Sequence, residues 1–246
     1  MFKFFTFLSF ALSVSFTHAV VNDPVSKVKF ALVYKGPGSC PEECSEAAAE
    51  MAELAGLSPK FIGPEEQNPQ IFENAVVWIQ PGGKSSKVAK TMNENLKNLI
   101  RQFVYNGGGY VGFCAGAFYA THIIGDTENI GLGIIAGRTQ LYEEVNDSPE
   151  ILTLNWLGKK QDVYWEGGPY FILPEEEQES SAIEVLATYP NATPASVKST
   201  YGRGNVVLTG AHPEAPAWWS TVEKIIDPDG VDHNLAVAMI KMAVGN

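Results

Sequence analysis

The chain contains three cysteines, and one of them, Cys114, lies in Gly112-Phe113-Cys114-Ala115-Gly116. This is the G-x-nucleophile-x-G arrangement with cysteine as the nucleophile. Only small residues fit beside a side chain presented on so sharp a turn. An apolar run precedes the motif and a helical pattern follows it. That order puts the sulfur at a helix N-terminus, where the dipole favours thiolate over thiol. The alternative is a buried structural cysteine, a common fate for this residue. A nucleophile needs a base, and the base needs an orienting group. His212-Pro213-Glu214, late in the chain, offers both. Pro213 biases His212 toward extended geometry, in which side chains two apart share one side. Glu214 can then fix the imidazole tautomer and stabilise imidazolium. The Pro81-Gly82-Gly83 turn supplies backbone N–H groups. With the N–H of Ala115, Gly82 and Gly83 are expected to form an oxyanion hole. The chemistry this set predicts is attack of Cys114 on an amide or similar acyl carbonyl.

These groups must be held by a scaffold. Val28–Tyr34, Lys60–Ile62, Ala75–Ile79 and Tyr110–Phe113 read as strands, apolar almost throughout. Helical patterns separate them. One starts at Ser39, with Glu42 placed for a capping box, and one runs from Val88 to Tyr105. Strands of this kind alternating with helices predict a parallel sheet covered on both faces. The fold expected is α/β, doubly wound, with a mostly parallel sheet and a β-rich extension between Gly133 and Tyr189. Gly202-Arg203-Gly204-Asn205 reads as a hairpin turn, and helices at Trp218–Ile226 and Asp232–Val244 close the chain. Ligands in such folds bind beyond the C-terminal strand ends, where all three motifs fall.

The order and spacing of Pro81-Gly82-Gly83, Gly112-Phe113-Cys114-Ala115-Gly116 and His212-Pro213-Glu214 resemble those of class I glutamine amidotransferase-like domains. Two further segments, Val33-Tyr34-Lys35-Gly36-Pro37-Gly38 and Tyr164-Trp165-Glu166-Gly167-Gly168-Pro169-Tyr170-Phe171, resemble the subgroup related to the N-terminal domain of biotin–protein ligase. The resemblance implies a flavodoxin-like sheet and a catalytic Cys114–His212–Glu214 triad. It leaves the substrate undefined. Tyr34, Gly167, Gly168 and Tyr170 are expected to contribute to a substrate pocket. Trp165, Tyr170, Trp218 and Trp219 either line a pocket or fill core.

The remaining features set the context. Lys3, the apolar Phe4–Phe16 and Thr17-His18-Ala19 have the order of a secretory signal peptide. The expected organisation is a leader over residues 1–19 and one glutamine amidotransferase-like domain over 20–246. The mature protein would be periplasmic or secreted, without stable membrane insertion. Cys40 and Cys44 are four apart and can bridge in an oxidising compartment. Inert thiols are the alternative, and two thiols without histidines make a poor metal site. No metal and no cofactor is expected. The formal net charge of −11 argues against nucleic acid, whose phosphates repel an acidic surface. The expected partner is a small-molecule or peptide amide; oligomeric state stays undefined. The function expected is an exported cysteine hydrolase of amidase or peptidase type. The alternative is a non-catalytic binding or regulatory module that keeps the fold.

Overall fold

The computed structural model describes residues 1, 28–41, 43–142, 148–175 and 182–245. The expected leader, residues 1–19, lies outside the described residues from residue 2 onward, as does the helix-capping Glu42. Five strands form the parallel part of the main sheet: β1 (Phe30–Tyr34), β2 (Ser58–Ile62), β3 (Ala75–Gln80), β4 (Gly109–Phe113) and β11 (Gly204–Thr209). Among the described residues this sheet has nine strands. The others are β6 (Glu150–Trp156), β7 (Lys159–Trp165), β9 (Glu184–Thr188) and β10 (Pro194–Tyr201), and the order is β2-β1-β3-β4-β11-β10-β9-β6-β7. The five at one end pair in parallel, and from β11 outward every pairing is antiparallel. The region from Gly133 therefore divides. β6, β7 and β9 extend the main sheet, while β5 (Arg138–Leu141) and β8 (Pro169–Ile172) pair as a separate two-stranded sheet.

The parallel strands are apolar on both faces because helices cover both. Successive side chains point to opposite sides. Ala31, Val33, Val77, Ile79, Val111 and Val207 face one layer, built by α1 (Cys44–Leu54) and α6 (His233–Val244). Leu32, Trp78, Tyr110, Val206 and Leu208 face the other, built by α2 (Ser85–Thr91), α3 (Glu94–Tyr105) and α4 (Ala115–Ala120). In α3 the buried positions Leu96, Ile100 and Val104 recur every four residues, which is one helix face. A last short helix, α5 (Ala217–Glu223), packs over the sheet edge that carries β7.

Three local expectations change. The helix read from Val88 to Tyr105 is broken at Met92-Asn93, because the Asn93 side chain accepts the Leu96 N–H at 2.7 Å and starts a new helix. The helix read from Ser39 begins at Cys44 instead. Ser39 forms an antiparallel bridge with Gly83, with the Lys84 N–H donating to the Gly38 carbonyl at 2.7 Å. The first residues after β1 are thus tied to the Pro81–Gly83 turn rather than wound into α1. The hairpin between β10 and β11 turns on Gly202 and Arg203 alone, since Tyr201 and Gly204 are already paired.

Candidate functional site

The C-terminal ends of β1, β3, β4 and β11 lie side by side, and each passes into one of the motif segments. Cys114 follows β4 directly. Its φ of 44° and ψ of −102° are outside the regions a side-chain-bearing residue favours. The conformation is held on both sides: the Cys114 N–H donates to the Thr209 carbonyl at 2.9 Å, and its own carbonyl accepts from Ala117 at 2.9 Å. The flanking glycines are required by close approach. A Cβ on Gly112 would stand 2.6 Å from the Gly116 carbonyl, and one on Gly116 would collide with the Gln80 carbonyl.

His212 enters after β11. Its N–H donates to the Tyr164 carbonyl at 2.8 Å, and its ring meets Tyr164 and Trp219 edge-on. Nδ1 lies 2.9 Å from Glu214 Oε1. Extended geometry is not what joins them. The Ala215 N–H returns to the His212 carbonyl at 3.0 Å, closing a turn with Pro213 at its second position. Proline suits that position through its fixed φ. Both side chains are buried, Glu214 completely. Burial opposes a charge on His212. The Glu214 carboxylate and the Cys114 side chain outweigh it, and hydrogen bonds to both add to the effect, so the imidazole titrates well above its ordinary value. Glu214 Oε2 has no hydrogen-bond partner among the described residues.

Cys114 is 4% exposed. Its S–H donates to the Glu166 carbonyl at 3.4 Å. Gly82 lies beneath His212: a Cβ there would enter the imidazole at Cε1 and stand 3.2 Å from both His212 Nδ1 and Cys44 Sγ. Gly83, with φ of 129°, completes the bridge to Ser39. Among the described residues the Gly83 N–H gives no backbone hydrogen bond. Ala115, at the start of α4, has no preceding helical carbonyl to receive its N–H.

These groups border an open cavity of about 700 Å³. Its walls include Cys114, His212, Gly83, Glu166, Gly167 and the paired Trp218 and Trp219. Of the four residues expected to shape a pocket, Gly167 is on its wall. Tyr34 is fully buried and donates to the Pro37 carbonyl at 3.0 Å. Gly168 abuts Gly210. Tyr170 points to Gln140 Oε1, 2.6 Å away on β5. None of those three lines the cavity. Of the tryptophans, Trp165 is core, its indole N–H donating to Tyr189 at 3.2 Å. Sequence reasoning missed Lys84 and Lys87, which stand on the cavity wall. Their signal was adjacency, since Lys84 directly follows the Pro81–Gly83 turn. Cys40 and Cys44 form a disulfide with a Cα separation of 5.5 Å, and both line the same cavity.

Comparison with known proteins agrees with this architecture. The family model described as "Biotin-protein ligase, N terminal" matches residues 30–143 and 136–239. A biotin–protein ligase of Schizosaccharomyces pombe is 27% identical over 181 residues, covering 64% of this chain. The chain spans 28% of that relative's length. A crystal structure of glutamine amidotransferase superposes with a TM-score of 0.63 at 21% identity, covering 87% of this chain and 100% of its own. The structure of PurLQS from Thermotoga maritima gives 0.60 at 16% identity, covering 86% and 97%. At those identities the likeness shows the fold: the glutamine amidotransferase-like α/β architecture. The expectation of an exported cysteine hydrolase is corrected by these findings. The family is that of the N-terminal part of biotin–protein ligase, and the curated relative is named a biotin–protein ligase; neither is described as a hydrolase. Within the site Cys114 is buried, its sulfur placed between the Glu166 carbonyl at 3.4 Å and the His212 ring.

Proposed function

Because this chain belongs to the biotin-protein ligase N-terminal family, we propose that it is a non-catalytic binding or regulatory module built on the glutamine amidotransferase-like fold. The observation that carries the reading is the family match, which covers both halves of the cavity's frame. The ligand proposed is a small molecule or peptide bearing an amide. Its carbonyl oxygen would meet the N–H groups of Gly83 and Ala115, in the same way that an anion hole accepts an oxyanion. Its apolar part would lie against Trp218 and Trp219, whose faces give large contact area. Lys84 and Lys87 would hold an anionic group at the rim. Cys114, His212 and Glu214 act in this reading as a polar floor of fixed hydrogen-bond geometry.

The name of the curated relative directs the ligand search toward biotin and biotinyl amides, alongside short peptides. Thermal unfolding is the assay. A ligand at a hundred times its Kd stabilises the folded state by about 2.7 kcal/mol, which raises Tm by roughly 5–11 °C in a chain of this length. Trp218→Ala, at an exposed residue of the cavity wall, and Lys84→Ala should reduce the shift without changing the unliganded fold. If no amide, peptide or biotinyl compound shifts Tm, the binding reading fails.

A further inference from the structure

All three cysteines line one cavity, and two of them are already joined. Cys40 is half-buried, while Cys44 is 1% exposed and is the first residue of the eleven-residue α1. The Cys44 sulfur and the His212 ring pack against the same point above Gly82. Those placements make the two ends of the disulfide chemically unequal. A nucleophile arriving through the cavity reaches Cys40 first. A thiolate released at Cys44 faces an imidazole that the Glu214 carboxylate keeps cationic, and it sits at a helix N-terminus. Both environments favour thiolate, and a better-stabilised thiolate leaves faster.

We propose that Cys40–Cys44 is a redox-active disulfide that low-molecular-weight thiols open in the native protein, attacking Cys40 and expelling Cys44. In the first step a thiolate RS⁻ bonds to Cys40 Sγ, the S–S bond breaks, and its electron pair leaves on Cys44 Sγ. Cys44 then takes up a proton. In the second step another RS⁻ attacks the R sulfur of the mixed disulfide, releasing RSSR and the Cys40 thiolate. The protein gains two electrons and two protons, and two thiols become one disulfide. The structural consequence falls on the cavity. Gly38, Ser39, Cys40 and Pro41 form part of its wall. They are held by the disulfide at one end. At the other the Cys40 N–H donates to the Gly82 carbonyl at 3.2 Å, beside the Ser39–Gly83 bridge. Reduction removes the covalent tie and leaves that wall on backbone hydrogen bonds alone.

The test uses the full chain and reduced glutathione, so it does not depend on any pocket ligand and stands apart from the binding reading. Samples are quenched in acid, alkylated and mapped by mass spectrometry. In the wild type, the rate of disulfide opening should rise linearly with glutathione concentration while the protein stays folded. In Cys44→Ser, where Cys40 is a free thiol, oxidised glutathione replaces the reduced form: the Cys40 thiolate takes one glutathione sulfur, the other leaves as glutathione thiolate, and the adduct should accumulate on Cys40. In Cys40→Ser the same transfer to the buried Cys44 should be at least about tenfold slower, as access controls exchange. His212→Gln should slow wild-type opening by about tenfold, the loss expected when a cationic neighbour of the leaving thiolate is removed. The proposal is overturned if opening in the wild type is independent of glutathione concentration, which means it follows global unfolding. Equal adduct rates on Cys40 and Cys44 in the two variants would also overturn it.

Discussion

The His212–Glu214 pair has a worked consequence for stability and its pH dependence. Glu214 is fully buried, with one oxygen on His212 Nδ1 at 2.9 Å and the other unpartnered among the described residues. His212→Ala leaves that carboxylate in the core without its cation. Breaking a buried pair by removing one member costs about 3–5 kcal/mol. For a chain of this size each kcal/mol lowers Tm by roughly 2–4 °C, so the variant should melt roughly 6–20 °C lower. The pH dependence follows from the direction of the His212 shift. Burial lowers its affinity for a proton, and Glu214 and Cys114 more than restore it, so the folded value lies above the unfolded one. A group shifted this way contributes its stability in full below its unfolded pKa of about 6.5. The contribution fades as pH rises through the folded value. The deficit of His212→Ala should therefore be largest at pH 6 and shrink in alkali. Thermal melts of both proteins at a series of pH values measure it. A Tm difference under about 2 °C at pH 6, or one that grows with pH, would refute the reasoning, since it falls outside the cost of breaking a buried pair.

Other positions give independent tests. Gly82→Ala places a methyl inside the His212 ring and against Cys44, so it should cost about 1–3 kcal/mol as overpacking and weaken ligand binding, read by melts with and without ligand. Cys114→Gly should be more stable than Cys114→Ala by about 1–3 kcal/mol, because only the alanine keeps a Cβ at φ 44°; denaturant titration of the two variants compares them directly. Asp232 titrates near 7, raised first by burial and then by Asp229, Asp227 and Asp162. A carboxyl with its folded value above its unfolded one loses stability as pH rises between the two. Asp232→Asn should therefore stabilise the protein progressively from about pH 4 to pH 7 and level off above, a trend that melts across that range would show.

Much of the frame was legible because short, continuously apolar runs between glycine-ended helical patterns leave few alternatives. The alternation that exposes Val77 and Ile79 to one layer and Trp78 to the other can be read from the chain alone. The Gly112–Gly116 elbow was legible for a similar reason, as two close backbone approaches at fixed spacing leave glycine as the residue that fits. What escaped was set by contacts distant in sequence. Ser39 looks like a helix cap until Gly83, forty-four residues on, pairs with it instead. Tyr34 sits next to a motif, yet its ring is sealed beneath the Pro37 carbonyl. Trp218 and Trp219 carry no signal separating cavity wall from core, because that depends on where α5 packs. The function was read one step too far for a related reason. Cys114, His212 and Glu214 show in the sequence as a catalytic set, whereas the burial of Cys114 against the Glu166 carbonyl, which comes from a different strand end, does not.

The central claim is that the cavity binds without turning over, and mass balance tests it most directly. The full chain is incubated with a tenfold excess of an amide ligand selected by thermal shift, and both protein and ligand are followed by intact mass spectrometry. The account predicts that the ligand is recovered whole, at saturation with one equivalent bound, and that Cys114 carries no acyl adduct. Release of cleaved product in amounts exceeding the protein, lost in Cys114→Ser, would contradict it.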